Sequence, residues 1–331
     1  MTEFFTRGKG ENRKVIPINE KGLKNPRVME SPKFQEVTKD ALLHDAHEKL
    51  KRISEMDDIE VVLTNLKEFS GFLGKYSPYN AALIIQQDPQ ATRVFSKDDW
   101  KALGYEVREN ARPIAVLVPY GVPKKYSLPK IAKTMEKLKK EGQSEEYIIR
   151  KYNEMMRTQN ARYTPHTYGV GRVYDAKSVN GDVPPEQFAK NSELYAAMKE
   201  AAKSKFKNIT ETTLESGSRG YTDLDTEGNV RGLVVMKVPN ESKAPLNTLA
   251  HEMSHAIMGH DYRKIPRWKA ETEAELSAYL VLSHYGVDFD KEAAAYIKNW
   301  LKDNKLGEES IDRAANTARQ IIQMTDQHLS K

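Results

Sequence analysis

One stretch constrains the fold of this 331-residue chain more than any other: residues 246–260, LNTLAHEMSHAIMGH. On a helix, His251 and His255 lie one turn apart on the same face, so that both imidazoles can reach one cation at about 2.1 Å. The sequence therefore predicts a helix over residues 245–259 that presents two metal ligands. Its apolar residues recur at helical intervals; they are Leu246, Leu249, Ala250, Met253, Ala256 and Ile257.

Glu252 directly follows the first of these histidines and completes a His-Glu-x-x-His motif. This is the motif of zincin metallopeptidases, in which the histidines bind zinc and the glutamate is the general base. Only eight histidines occur in the chain, so such a motif seldom arises by chance. Its position in an apolar helix, after the strand-like segment GLVVMKV, adds support, because burying a glutamate without a role is costly. The alternative is a partly exposed helix on which these residues bind no metal.

A third ligand is predicted in the following helix, because a catalytic zinc site uses three protein ligands and keeps one position open. Glu271 and Glu275 share a face of that helix, whereas Glu273 points elsewhere. The segment Glu271-Thr-Glu-Ala-Glu275 resembles the Glu-x-x-Ala-Asp pattern of zincins with a glutamate ligand. The resemblance implies that Glu271 binds the metal and that Glu275 orients a ligand histidine. Because Glu replaces Asp at the fifth position, the two roles could be reversed.

The identity of the metal is narrowed by composition. The chain has no cysteine, so thiolate ligands and disulfides are excluded. Histidine and carboxylate ligands suit Zn²⁺ and also accept Mn²⁺. His260 and His284 could also approach the metal, although each is more often a surface histidine.

Length and charge bear on the class of protein. A chain of 331 residues with 39% hydrophobic and 30% charged residues predicts two soluble domains. No apolar run approaches the roughly 20 residues of a membrane helix, and the N-terminus lacks a secretory signal, which predicts a cytoplasmic protein. Residues 1–162 hold 30 Lys and Arg against 23 Asp and Glu, so the basic surplus lies in the N-terminal half. That direction is expected of an anion-binding module, and a solvated surface explains it about equally well.

The periodicity along the chain predicts an α+β protein. Residues 1–30 are interpreted as a partly mobile arm, 31–128 as a helical domain with a small sheet, 129–162 as a charged helical spacer, and 163–331 as a second domain with the metal helix. Within the first domain, YEVRE at 105–109 and PIAVLVP at 113–119 are predicted to pair as strands. In the second, a hairpin turn around DLDTEGNV leads into GLVVMKV.

Several segments together resemble one family, the ArdC antirestriction proteins, and more distantly the ImmA/IrrE peptidases. In the C-terminal half these are VYDAKSV, TLAHEMSHAIMGH, AELSAYLVLSHYG and AAAYIKNWLK; in the N-terminal half they are GKYSPYNAALII, DDW and GYEVRENARPIAVLVP. The resemblance implies an N-terminal domain that binds single-stranded DNA and a C-terminal zincin-like metallopeptidase domain. It also implies an antirestriction or DNA-protection role on a mobile element or phage.

Candidate nucleic-acid contacts follow from the N-terminal resemblance and from residue type. Single strands are bound by aromatic faces that stack on bases and by positive charges along the backbone path. Each aromatic residue has an alternative role in the core, Trp100 above all. The predicted contacts are Lys75, Tyr76, Tyr79, Asn80, Arg93, Lys97, Trp100, Lys101, Arg108 and Arg112.

Three functions remain open on these observations. The first is a protein that binds single-stranded DNA and cleaves an unknown protein substrate at a zinc site. The second keeps the metal as a structural element and protects DNA by binding alone. The third is a regulatory metallopeptidase that cleaves a repressor and binds no DNA.

Overall fold

The computed structural model describes residues 4–7, 14–17, 37–119, 128–144, 147–148, 151, 168–185, 187–206, 208–212, 220–227, 229–236, 243–302 and 304–329. Within them the chain combines many helices with small sheets, which confirms the predicted α+β class. Of the predicted arm, the structure describes one pair of short antiparallel strands, and of the predicted spacer it describes residues 129–144, 147–148 and 151.

Several helices begin at residues that cap them locally. Ser77 accepts a hydrogen bond from the backbone of Asn80 and is followed by proline, and Ser96 caps the next helix through Asp99. The predicted metal helix is α7. The helices are α1 Lys39–Ser54, α2 Ile59–Leu73, α3 Pro78–Gln87, α4 Lys97–Ala102, α5 Leu128–Lys140, α6 Asn191–Lys205, α7 Lys243–Met258, α8 Arg267–His284, α9 Asp290–Leu301 and α10 Glu308–Leu329.

In the described part of the chain, three small sheets accompany the helices. The strands pair in the orders β1-β2, β3-β5-β4 and β6-β8-β7. In the third sheet, β8 is central, parallel to β6 and antiparallel to β7, and the predicted hairpin between β7 and β8 is confirmed. The strands are β1 Phe4–Arg7, β2 Lys14–Pro17, β3 Val94–Phe95, β4 Ile114–Pro119, β5 Tyr168–Asp175, β6 Asn208–Thr212, β7 Gly220–Leu224 and β8 Val230–Met236.

The predicted pairing of YEVRE with PIAVLVP is wrong. β4 pairs instead with β5, with Ile114 opposite Val173, and residues 105–109 contribute one isolated bridge from Val107 to Val179. Val107 is the single aliphatic residue in YEVRE, so this segment offers little to bury, whereas β5 brings Val173 and Tyr174 into the core. β5 lies beyond residue 163 and yet completes the sheet of the preceding segment. The domain boundaries themselves stay a prediction.

The helices on either side of the predicted boundary share one apolar core. Leu63, Leu66 and Phe69 of α2 belong to the same buried cluster as Tyr279 of α8 and Ile321 of α10. The Tyr279 hydroxyl donates to the backbone oxygen of Leu63 at 3.2 Å. The N-terminal helix α2 therefore packs directly against α8.

In the described part of the chain, none of the helices combines the length and the apolar character needed to cross a bilayer.

Candidate metal centre

Helices α7 and α8 pack against each other, and β7 lies across α7. The approach of β7 is close: a Cβ atom on Gly220 would meet Thr248 at 2.7 Å and Glu252 at 3.1 Å. Only glycine fits there without displacing the helix. The helix α8 carries all three candidate glutamates on a segment that is buried throughout. The polar side chains of α7 and α8 thus meet in an interior created by packing.

His251, His255 and Glu271 converge at one point. The two histidine Nε2 atoms lie 3.0 Å apart, and Oε2 of Glu271 lies 3.4 Å from Nε2 of His251 and 3.8 Å from Nε2 of His255. All three side chains are buried. Among the described residues, they form the one group of three histidines or acidic residues whose ligand atoms are near enough to hold a metal ion. The structure thus brings together the residues that the sequence proposed as ligands.

Glu275 holds the first histidine from behind. Its Oε2 lies 2.8 Å from Nδ1 of His251, and its Oε1 accepts a hydrogen bond from Nδ2 of Asn247 at 3.2 Å. A carboxylate at Nδ1 keeps the proton on that nitrogen and leaves Nε2 with its lone pair. Glu275 therefore lies where the sequence placed the orienting carboxylate, and Glu271 lies where it placed the third ligand.

The second histidine is held by His260 and Glu273, residues to which the sequence interpretation did not give this role. Nδ1 of His255 lies 2.7 Å from Nδ1 of His260, and Nε2 of His260 lies 3.2 Å from Oε2 of Glu273. The chain returns to this position because Gly259, which follows the last residue of α7, has a φ of +66° that suits glycine. As predicted, Glu273 points away from Glu271 and Glu275. Its carboxylate contacts His260 instead. His284 lies elsewhere and bonds the backbone oxygen of Ser70.

The protonation of the two histidines fits a cation site. Burial lowers the pKa of His251, but Glu271 and Glu275 outweigh this effect and raise the pKa to about 10. Burial lowers the pKa of His255 to about 4, and Glu271 offsets this only in part. One proton therefore lies between two facing lone pairs at 3.0 Å. A divalent cation would replace that proton and satisfy both nitrogens and the carboxylate, so the donor set fits zinc or another divalent metal.

Glu252 lies in the same cavity, on the side of β7. Thr222 of β7 donates a hydrogen bond through Oγ1 to Oε2 of Glu252 at 2.9 Å. Burial raises the pKa of Glu252 above its usual value, and the nearby His251 and the Thr222 hydroxyl offset this only in part. A carboxylate with a raised pKa and a fixed orientation suits general-base chemistry near neutral pH.

Two tyrosines clamp the third candidate ligand. The hydroxyl of Tyr262 donates to Oε1 of Glu271 at 2.8 Å, and the hydroxyl of Tyr296 donates to Oε2 at 2.8 Å. Burial, together with the charge of Glu271, raises the pKa of both phenols, so both remain donors at neutral pH. The guanidinium of Arg267, at the mouth of the cavity around this centre, lies over the rings of Tyr262 and Trp300.

A cavity of about 680 Å³ connects this centre to solvent. It is lined by the candidate ligands, by Glu252, by residues of β7 and α9 such as Thr222 and Tyr296, and by Phe289, which precedes α9. Tyr262 and Tyr296 are partly exposed at its edge. This volume is in the range of cavities that bind small-molecule ligands.

The predicted nucleic-acid residues divide into two groups. Lys75, Lys97, Lys101, Arg108 and Arg112 are exposed, and Lys75 also pairs with Asp99 of α4 at 2.8 Å. Arg93 and Tyr79 are partly buried, and Arg93 donates to the backbone oxygen of Pro184. The exposed cations on α4 and in the segment after it stay candidates for phosphate contacts.

Tyr76, Asn80 and Trp100 need a correction. Trp100 is 1% exposed, and its indole nitrogen donates to the backbone oxygen of Tyr174 at 2.8 Å. The Tyr76 hydroxyl donates to the backbone oxygen of Val94. Asn80 bonds both backbone groups of Leu117, with its oxygen accepting and its nitrogen donating at 2.8 Å. These side chains are buried and their polar groups are satisfied, so they offer no face to a base, and their prediction as contacts is wrong.

Comparisons with known proteins give a distant likeness. No family model matches the sequence. The chain is 27% identical over 296 residues to the uncharacterized protein pXO2-81 of Bacillus anthracis, a match that covers 81% of this chain and 48% of that protein. The chain thus spans about half the length of the curated relative it matches.

Among solved structures, the chain is similar to the antirestriction ArdC protein from the R388 plasmid. The metal-free structure is 17% identical, covers 77% of this chain and 85% of its own, and gives a TM-score of 0.37. The Mn(II)-bound structure is 16% identical, with a TM-score of 0.37 and coverages of 77% and 86%. These structures bear the name of the family that the sequence motifs resemble.

Proposed function

We propose that this chain is an antirestriction or DNA-protection protein of a mobile element or phage, with a zinc-dependent metallopeptidase-like site and a surface for single-stranded DNA. The observation that carries the catalytic part is the convergence of His251, His255 and Glu271 in a cavity that also contains Glu252. The motifs shared with ArdC proteins support the role on a mobile element. Under this proposal, residues 31–128 bind DNA, residues 163–331 carry the metal site, and the protein acts in the cytoplasm.

His251 and His255 would hold the metal through Nε2, and Glu271 through Oε2. Each imidazole has its Nδ1 engaged by another buried group, which leaves Nε2 as the ligand atom. Two neutral histidines and one carboxylate are the ligand set of many catalytic zinc sites. A bound zinc ion would supply Lewis acidity that polarises a substrate carbonyl.

Glu252 would manage the protons of peptide hydrolysis. Its carboxylate takes a proton from water as the water oxygen bonds to the carbonyl carbon, and it returns that proton to the amide nitrogen as the C–N bond breaks. Thr222 keeps the carboxylate turned into the cavity. The hydroxyls of Tyr262 and Tyr296, which donate to Glu271, would hold this carboxylate in place beside the two histidines.

A catalytic role is favoured over a structural metal by the shape of the site. Structural zinc sites are closed by four protein ligands. Here the described residues supply three, and the fourth side faces a cavity that reaches solvent. A buried glutamate beside the open side has no use in a purely structural site.

The substitution Glu252→Ala tests this proposal. Wild-type protein and the variant are compared for zinc content by mass spectrometry and for new N-termini produced in a bacterial lysate, with Glu227→Ala, on an exposed turn, as the control. We expect stoichiometric zinc in all three proteins and new N-termini with all but Glu252→Ala. Absence of stoichiometric zinc in the wild type would overturn the metal site. Stoichiometric zinc in wild type and variant, with no new N-termini from either, would favour a binding protein with a structural metal.

The burial of Tyr76, Asn80 and Trp100 favours a second candidate, a regulatory metallopeptidase that cleaves a repressor without binding DNA. The burial of these three side chains removes three of the predicted DNA contacts and leaves the exposed lysines and arginines as the basis for DNA binding. A DNA-binding measurement therefore separates the two functions.

A further inference from the structure

A buried chain of polar contacts runs from the candidate ligand His255 to the C-terminal helix α10. Nδ1 of His255 contacts Nδ1 of His260 at 2.7 Å, and Nε2 of His260 contacts Oε2 of Glu273 at 3.2 Å. Oε1 of Glu273 accepts a hydrogen bond from Oγ of Ser310 at 2.7 Å. His255, His260, Glu273 and Ser310 are all buried, so water does not compete for these bonds.

Metal binding at His255 leaves this chain with one consistent arrangement of protons. When Nε2 of His255 faces a cation, its proton lies on Nδ1, and that N–H donates to Nδ1 of His260. The proton of His260 must then lie on Nε2, from which it donates to Glu273. Every link has one donor and one acceptor, and the series ends on a carboxylate that also accepts from Ser310.

The negative charge of Glu273, at the far end of this series of contacts, is also stabilised. Nη1 of Arg313, on α10, lies 3.4 Å from Oε2 of Glu273, and Nζ of Lys269 lies 3.8 Å from Oε1. Glu273 has no exposed surface, so these two cations and the two hydrogen bonds replace its hydration. Packing α8 against α10 does not require a buried charge at position 273, because an apolar residue would pack there at a lower cost in free energy.

We propose that His260 and Glu273 are positioning residues that fix the ring and tautomer of His255 for metal binding, and that this link ties metal affinity to helix α10. The inference rests on the metal site proposed above. The two ligand histidines are then oriented differently: His251 by a direct carboxylate, Glu275, and His255 by a carboxylate acting through an imidazole. Gly259 makes the second arrangement possible because it turns the chain so that His260 returns beneath His255.

The test compares zinc affinity, measured by competition with a chromophoric chelator, for wild type, His260→Leu, His260→Asn and Glu273→Gln. Loss of an outer partner of a ligand histidine weakens metal binding by about 10- to 100-fold, which we expect for His260→Leu. Asn at position 260 places an oxygen acceptor near the position of Nδ1, so His260→Asn should recover most of the loss. Gln at 273 keeps an acceptor and loses the charge, so an intermediate effect is expected. The control is His284→Leu, which removes a partly buried histidine remote from the site and should leave zinc affinity unchanged.

A second readout follows the proton itself. In zinc-loaded wild type, nitrogen-15 NMR should show His255 with its proton on Nδ1 and His260 with its proton on Nε2. If His260→Leu unfolds cooperatively and binds zinc as tightly as wild type, the proposed relay, by which His260 and Glu273 position His255, is overturned. The proposed metal site would not be affected by that result. A wild type that binds no zinc would overturn the metal site and the relay with it. Should His260→Leu fail to fold, unchanged affinity in both His260→Asn and Glu273→Gln, with His260 protonated on Nδ1 in the wild type, overturns the relay.

Discussion

The Nε2 atoms of His251 and His255 face each other at 3.0 Å, and each ring is fixed through its other nitrogen. Two lone pairs at this distance repel unless a proton or a cation lies between them. The Glu271 carboxylate beside them adds negative charge to the same point. The centre is therefore stabilised by whatever cation enters it.

Zinc should raise the stability of the folded protein. A ligand that binds only the folded state at 100 times its dissociation constant adds about 2.7 kcal/mol. Thermal unfolding followed with and without zinc should show a higher midpoint with the metal and a return to the lower midpoint with a chelator. His251→Ala should remove the dependence on zinc. An unchanged midpoint in the wild type would contradict a folded-state metal site.

The two glutamates of α8 should differ in their effect on metal affinity. Glu271→Gln replaces the charged oxygen of the proposed ligand with a neutral amide oxygen and should reduce zinc affinity more than Glu275→Gln, which keeps an acceptor for His251, loses the charge and should cost no more than about 10-fold. Isothermal titration calorimetry on both variants measures the difference. A larger loss in Glu275→Gln than in Glu271→Gln would reverse the two roles.

Thr222→Val should shift the pH dependence of peptide cleavage. The Thr222 hydroxyl stabilises the charged form of Glu252, whose pKa burial has already raised, so its removal raises the pKa further. A base with a higher pKa is protonated at a higher pH, so the acidic limb of the kcat/KM profile should move to higher pH. Thr226→Val, in an exposed turn, is the control. An acidic limb at the same pH in Thr222→Val would exclude Glu252 as the titrating base.

Asp175, in the VYDAKSV motif, should be important for stability. It is 2% exposed, and it accepts from the backbone nitrogens of Thr92 at 2.7 Å and Lys177 at 3.0 Å. Asp175→Ala leaves these donors without their partner, which should cost about 2–4 kcal/mol in the free energy of unfolding. Urea unfolding measures this, with exposed Asp182→Ala as the control. A loss below about 1 kcal/mol would show that water replaces the carboxylate.

The exposed lysines of α4 should support single-strand binding if DNA binds at this face. The double variant Lys97→Glu and Lys101→Glu should weaken binding of a labelled single strand, measured by fluorescence anisotropy over a salt series. The logarithm of the affinity falls as the logarithm of the salt concentration rises, and each lost phosphate contact should make this slope shallower by about 0.7. The same charge change at exposed Lys51 and Arg52 of α1 is the control. No binding by the wild type at low salt would favour the peptidase that acts without DNA.

Much of the metal site could be predicted because its spacing is local. The 3.6-residue period of α7 places His251 and His255 on one face whatever surrounds the helix, and the same period separates Glu273 from Glu271 and Glu275 on α8. The pair Ser77 and Pro78 likewise predicts the start of α3 from adjacent residues alone.

His260 shows where local reasoning ends. It lies five residues after His255, beyond a glycine that ends the helix, so no helical period fixes where its ring points. The signal that could have found it is Gly-His directly after the motif, together with an extra glutamate on α8. Trp100 gives the converse case, because the same aromatic ring suits a base-stacking surface or a core, and only packing decides between them.

The sequence by itself determined the α+β class, the helix that carries His251, Glu252 and His255, and the pair of glutamates from which a third ligand is proposed, because these depend on periodicity and on residue chemistry. The tertiary structure decided which glutamate faces the histidines, that Glu273 reaches His255 through His260, that β4 pairs with β5, and that Trp100 is buried. Each of these is a contact between segments distant in the chain or separated by a turn. Such contacts are set by how all the apolar faces pack at once, which no single stretch of sequence specifies.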